Sequence, residues 1–209
     1  MQGRLGIDDG RFLVKLARKS IEEYLSGRTP RYTEPSNPLL KEPRGVFVTL
    51  YKHPSKELRG CIGFPLPTYP LVEATVKAAI ASATEDPRFP PVRLDELKEL
   101  VVEVSVLTRP EEVQYTRPEE LPRKIVIGRD GLIIEAEGRG GLLLPQVPIE
   151  YGWDAEEFLT HLCIKAGLPP TYWITGKARI LRFSAQVFAE KEPRGEVVEE
   201  ELAASCKRC

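Results

Sequence analysis

Apolar positions at the start of the chain recur at helical spacing and then switch to strand alternation. Leu13, Leu16, Ala17, Ile21, Tyr24 and Leu25 repeat every three or four residues, which predicts a helix over 8–25, capped by Asp8 or Asp9 and stopped by Gly27 and Pro30. A polar, proline-bearing loop follows over 29–43. Residues 45–51 are rich in β-branched and aromatic side chains and predict a strand. His53-Pro54-Ser55-Lys56 is turn chemistry, so 58–63 should return antiparallel as the second arm of a hairpin. Pro70 suits the start of an alanine-rich helix over 71–84, whose small side chains permit close packing on a sheet. Val102, Val104 and Val106 share one face of a strand over 100–108, with Val101, Glu103, Ser105 and Leu107 on the other, and that strand reads as central.

The second half is less regular. Asp130-Gly131 between 124–128 and 132–136 predicts a hairpin. Gly138-Arg139-Gly140-Gly141 lacks a following Lys-Ser/Thr and does not open a helix, so a plain turn is favoured over a phosphate cradle. Asp154 and Glu157 predict a capping box for a helix that ends at Gly167, with Phe158, Leu159, Leu162, Cys163 and Ala166 as its apolar face. That pattern makes Cys163 a core residue and puts His161 off the stripe. A strand is expected over 178–189 and a mobile acidic tail from 190. Interleaved helices and hairpins favour an α+β fold with a mostly antiparallel or mixed β-sheet flanked by helices. The whole of 8–189 reads as one domain with a small second subdomain.

Composition narrows the function classes. The 209 residues carry 30 basic and 31 acidic side chains, so the broad basic field expected of a nucleic-acid binder is missing. A hydrophobic content of 42% and a charged content of 29% describe a globular chain, and no apolar run approaches the roughly 20 residues of a membrane span. Four cysteines do not make a disulfide scaffold in a chain of this length, so a cytoplasmic setting is the expectation. Cys206 and Cys209 make half of a zinc knuckle with no second pair nearby, and neither a metal nor a cofactor is assigned. A single Met, 19 prolines and many Arg and Glu suit a heat-adapted protein.

The candidate chemistry lies in Leu58-Arg59-Gly60-Cys61-Ile62-Gly63. By strict alternation Arg59, Cys61 and Gly63 share a face, with Arg59 roughly 7 Å from Cys61, close enough to favour the thiolate. Gly60 and Gly63 mark a place where something approaches the backbone closely. The plain alternative is a buried cysteine beside a surface arginine. Asp86 and Arg88 sit in a proline-stiffened loop that presents charge, or simply ends a helix. Gln146, behind Pro145, is an amide in a stiff segment. His53 lies roughly 16 Å from Cys61 along the hairpin, a poor position for its base.

These stretches carry a resemblance. Leu58-Arg59-Gly60-Cys61-Ile62-Gly63, Asp86-Pro87-Arg88-Phe89-Pro90-Pro91, Glu103-Val104-Ser105-Val106-Leu107 and Gly141-Leu142-Leu143-Leu144-Pro145-Gln146-Val147 followed by Trp153 are together very similar to the AMME-syndrome candidate protein family. So are Phe158-Leu159 and Lys165-Ala166-Gly167-Leu168-Pro169 with Trp173. The similarity spans roughly residues 8–189. It implies a larger α+β part with a smaller subdomain and leaves the activity open. It strengthens Arg59, Gly60, Cys61 and Gly63 as site residues and adds Asp86, Arg88, Pro145 and Gln146. Genes of this family often accompany those of Memo-family and radical S-adenosylmethionine proteins, which makes such companions the implied partners. Two readings follow: an enzyme or enzyme accessory acting on a small molecule, with Cys61, Arg59 and Asp86 as chemical groups, or a non-catalytic binding module for a partner protein. In the first, Asp86 would act as acid or base and Gln146 would stabilise developing negative charge.

Overall fold

The computed structural model describes residues 4–32 and 34–200 and divides the chain into two compact units. The first holds residues up to Thr108 together with Gln186–Glu200; the second is Arg109–Ala185. Both are α+β, and each has its own apolar core.

In the first unit helix α1, Ile7–Leu25, and helix α2, Leu71–Thr84, pack on a five-stranded sheet. Its strands are β1 Val46–Lys52, β2 Leu58–Phe64, β3 Leu100–Leu107, β8 Ala185–Glu190 and β9 Val197–Glu200, in the order β2-β1-β3-β8-β9. Strand β1 pairs antiparallel with both β2 and β3, so the expected hairpin is present and β3 is central. Val48, Leu50, Val102 and Val104 are fully buried on the face that meets the helices, each worth about 1.5–3 kcal/mol of apolar burial. The cap of α1 differs from expectation. Gly6 is the cap, and Asp9 reaches back from the first turn to accept the Gly6 N–H at 3.0 Å.

A buried ion pair ties this unit together. Arg18 of α1 donates to both oxygens of Glu190 and to the carbonyls of Leu97 and Leu100. Glu190 also accepts the Val102 N–H at 3.0 Å. This corrects the tail expected from residue 190: Glu190 and Val197 are buried, and β9 pairs with β8 from Val187↔Glu200 to Glu190↔Val197. The stretch reads as acidic because Glu190, Glu192, Glu196, Glu199 and Glu200 outnumber its apolar positions, so Val197 and Val198 carry little strand signal of their own. Cys206 and Cys209 lie outside the described residues.

The second unit builds a four-stranded sheet in the order β4-β7-β5-β6, from β4 Glu111–Glu112, β5 Gly131–Ala136, β6 Arg139–Leu143 and β7 Arg179–Phe183. Three helices belong to it: α3 Leu121–Lys124, α4 Val147–Tyr151 and α5 Ala155–Lys165. The Asp130-Gly131 hairpin does not form. Asp130 is buried, takes the Val126 N–H at 2.9 Å and pairs with Arg129, which closes a local turn instead. The hairpin comes one step later, between β5 and β6, where Glu137 and Gly138 both take positive φ, the backbone of a type I′ turn. The capping box of α5 is as expected, with Asp154 Oδ1 accepting the Glu156 and Glu157 N–H groups at 2.9 Å. Cys163 is fully buried. The strand expected over 178–189 is two strands, β7 and β8, in different sheets, with the break at Ser184.

Candidate functional site

Cys61 lies on β2, the edge strand of the first unit's sheet. An edge strand leaves every second N–H and C=O without a strand partner. At Cys61 the loop after α2 supplies both. Asp86 Oδ2 accepts the Cys61 N–H at 2.8 Å, and Arg88 Nη2 donates to the Cys61 carbonyl at 3.4 Å. Asp86 and Arg88 also grip each other, Nε to Oδ1 at 2.9 Å and Nη2 to Oδ2 at 2.7 Å. The prolines of this loop hold the two groups in place, since proline fixes φ and leaves few conformations to lose.

The Arg88 guanidinium, against the cost of burial and with further help from the Cys61 and Arg88 N–H groups, holds the Asp86 carboxyl far below the usual carboxylate range. A carboxylate held this low stays ionised and does not trade protons near neutrality, so the acid–base role expected for Asp86 gives way to a holding role. Its folded-state pKa is depressed, so the stabilisation is complete above the ordinary carboxyl pKa and fades as pH falls below it. The Asp86 side chain is 2% exposed but Arg88 is 54% exposed and solvent-screened. Asp86→Asn should therefore cost about 1–2 kcal/mol at pH 7 and less at pH 3. Urea unfolding at the two pH values measures the difference, and an equal loss at both would contradict this account.

Arg59 does not sit where alternation places it. The β1–β2 register runs Leu50↔Gly60 and then Tyr51↔Leu58, so Arg59 is the extra residue of a bulge. A bulge breaks the two-residue alternation. The Arg59 side chain is buried against the loop. It donates to Glu96 Oε1 at 2.5 Å, Glu96 Oε2 at 3.1 Å and the Pro90 carbonyl at 2.9 Å, and lies 5.8 Å from the Phe89 ring. The guanidinium is thus consumed by Glu96, which corrects its expected role as the partner of the thiolate.

The two glycines admit close neighbours, as expected, but these are parts of the fold. A Cβ on Gly60 would lie 2.1 Å from the Ser82 carbonyl oxygen of α2. A Cβ on Gly63 would meet the Phe47 ring and the Val46 carbonyl at 2.4 Å.

Beside Cys61 stand two residues that the sequence reading did not select. Cys61 pairs across with Thr49, and Thr49 with Glu103, in one row over three strands. The Thr49 hydroxyl donates to Cys61 Sγ at 3.4 Å and also reaches the Glu103 carboxyl, which Ser105 touches as well. Burial pushes the Cys61 thiol up; the Thr49 hydrogen bond opposes this, the Glu103 charge adds to it, Arg88 lowers it and Asp86 raises it. Burial, with the charge of Glu200, pushes Glu103 up to about 7 against the hydrogen bonds from Thr49 and Ser105 and the charge of Lys56. The signal for Glu103 was present in Val102-Glu103-Val104-Ser105-Val106: a carboxylate set between valines on a central strand.

Pro145 and Gln146 belong to the second unit, ahead of α4, where the Gln146 carbonyl accepts the Ile149 and Glu150 N–H groups at 3.1 Å. His53 is exposed. Among the described residues no group of three or more His, Cys, Asp or Glu gathers to hold a metal ion, and no helix is long and apolar enough to cross a membrane.

Comparison with known proteins places these stretches in context. Protein MJ0810 of Methanocaldococcus jannaschii is 56% identical over 201 residues, covering 95% of this chain and 98% of that protein. Protein MK0488 of Methanopyrus kandleri is 54% identical over 204 residues, covering 97% and 99%. The crystal structure of the uncharacterised protein PH0010 of Pyrococcus horikoshii superposes with a TM-score of 0.84 at 56% identity, over 93% of this chain and 97% of that one. It has the same α+β fold. The AMMECR1 family model matches residues 14–188, which include the Cys61 strand, the Asp86 loop and Glu103, and the chain belongs to the AMMECR1 family.

Proposed function

We propose that this protein is a cytoplasmic enzyme, or a component of one, that acts on a small molecule through the Cys61 thiol. The observation that carries the reading is a partly buried cysteine held through both its backbone and its sulfur. Its peptide N–H and C=O are held by Asp86 and Arg88, and its sulfur by the buried Thr49 hydroxyl. A nucleophile must be held to be useful, because a well-oriented group reacts far faster than a loose one. Glu103, pushed up to about 7, is the next ionisable group in the row and is linked to the sulfur through Thr49. The thiol rests protonated, so its activation belongs to the encounter with a ligand rather than to a preformed thiolate. Arg88, the exposed cation acting on the sulfur, favours a ligand with an anionic group.

A binding module for a partner protein is the second reading. It is favoured by burial's upward push on the thiol and by the engagement of Arg59 and Asp86 within the fold. Labelling separates the two. The native chain is treated with iodoacetamide and, in parallel, with iodoacetate, and the Cys61 peptide is read by mass spectrometry. Cys61 should label well ahead of the fully buried Cys163, and the anionic reagent should gain on the neutral one because the Arg88 guanidinium sits at the Cys61 carbonyl and its charge acts on the thiol. A Cys61 that labels only after unfolding would leave the binding module.

A further inference from the structure

Resting on the reading of Cys61 as the working thiol, we propose that Thr49 gates it: the one hydroxyl hydrogen of Thr49 goes either to Cys61 Sγ or to Glu103, so the charge on Glu103 switches the thiol. The strand pairing sets Thr49 between the two acceptors. Because the Cys61 N–H turns outward to Asp86, Cys61 and Thr49 form a non-hydrogen-bonded pair, the closer kind in an antiparallel ladder. Thr49 is only 5% exposed, so its hydroxyl finds its partners within the protein. A hydroxyl has one hydrogen and two lone pairs. With acceptors on both sides it can serve only one at a time.

An ionised Glu103 is the stronger acceptor and takes the hydrogen. Cys61 then faces a negative charge and loses its one stabilising side-chain bond, so it stays a thiol. A neutral Glu103 donates its own acid hydrogen to the Thr49 oxygen, and the Thr49 hydrogen swings to sulfur and stabilises a thiolate. The other groups that bear on the pair are Arg88 and Asp86 from the loop at Cys61, and Ser105, Lys56 and Glu200 at Glu103. None of them bridges both acceptors as Thr49 does. Any ligand that neutralises Glu103, by delivering a proton or by excluding water from it, therefore turns the sulfur on. Glu103 is pushed up toward the neutral range, where a change of its charge is within reach of a ligand.

The test is a double-mutant cycle on the full chain. Iodoacetamide labelling rates at the Cys61 peptide are taken across pH for the wild type, E103Q, T49V, T49S and the E103Q/T49V pair, with melting curves to confirm folding. E103Q should label about tenfold faster at pH 8, a shift of about one pH unit. T49V should slow labelling far more in the E103Q background than in the wild type, erasing the gain, and T49S should retain it. Equal effects of T49V in both backgrounds would reduce Glu103 to simple charge repulsion and overturn the gate. So would an E103Q chain that labels like the wild type. In either case a labelled wild-type Cys61 leaves the proposed function intact, whereas labelling absent from every folded variant overturns both.

Discussion

Replacing Arg59 with methionine should cost about 3 kcal/mol of stability and leave the ionisation of Cys61 where it is. The Arg59 side chain is 7% exposed and its partner Glu96 is 23% exposed. Removing one member of a buried pair strands the other, and here it also strands the Pro90 carbonyl. Burial works against the charge on Glu96, yet the hydrogen bonds from Arg59 and from the Arg93 N–H bring its carboxyl below the ordinary value. Without Arg59 that balance reverses, and the Pro90–Glu96 segment loses its anchor to β2. Arg59→Lys should recover only part of the loss, because an ammonium cannot match a bidentate contact. Urea unfolding gives the stability, and the pH midpoint of Cys61 labelling gives the ionisation. A stable variant with a midpoint raised by about one unit would restore Arg59 as the group that primes the thiol.

The second large effect is at Gly60. An added methyl would sit 2.1 Å from a main-chain oxygen of α2, where nothing flexible can yield. Either α2 lifts from β2 or the bulge is rebuilt, and Gly60→Ala should cost about 2–4 kcal/mol. Gly138→Ala is the comparison. It has open space and a φ of +72°, so only backbone strain is added, about 1 kcal/mol. Similar melting temperatures for the two variants would mean that the α2–β2 approach is not what Gly60 is for.

Both predictions concern residues that the local pattern singled out for another reason. Arg59-x-Cys61 reads as a pair on one face only if the strand is regular. The bulge that separates them depends on the β1–β2 register shifting between Leu50 and Tyr51, and no window of six residues records that. The same holds for Gly60, where the close neighbour the sequence implied is a helix carbonyl rather than a ligand. Glu103 is visible in the sequence only as one polar position in an alternating strand. Its significance comes from Thr49 on one side and Glu200 two strands away, which only the assembled sheet supplies.

By itself the sequence determined the β1–β2 hairpin, the span of α2, the capping box of α5 and the core position of Cys163. It also determined the family, through motifs spread over most of the chain. These rest on periodicity and short-range hydrogen bonds, where each residue's partners lie within a few positions. Only the tertiary structure decided which charges meet: Arg59 with Glu96, Arg18 with Glu190, and Asp86 with the backbone of Cys61. It also split the last long strand at Ser184 and added β9 to the first sheet. The physical reason is common to all of these. Strand register and ion pairing join groups tens of residues apart, their energy comes from burial, and burial exists only once the chain has closed on itself.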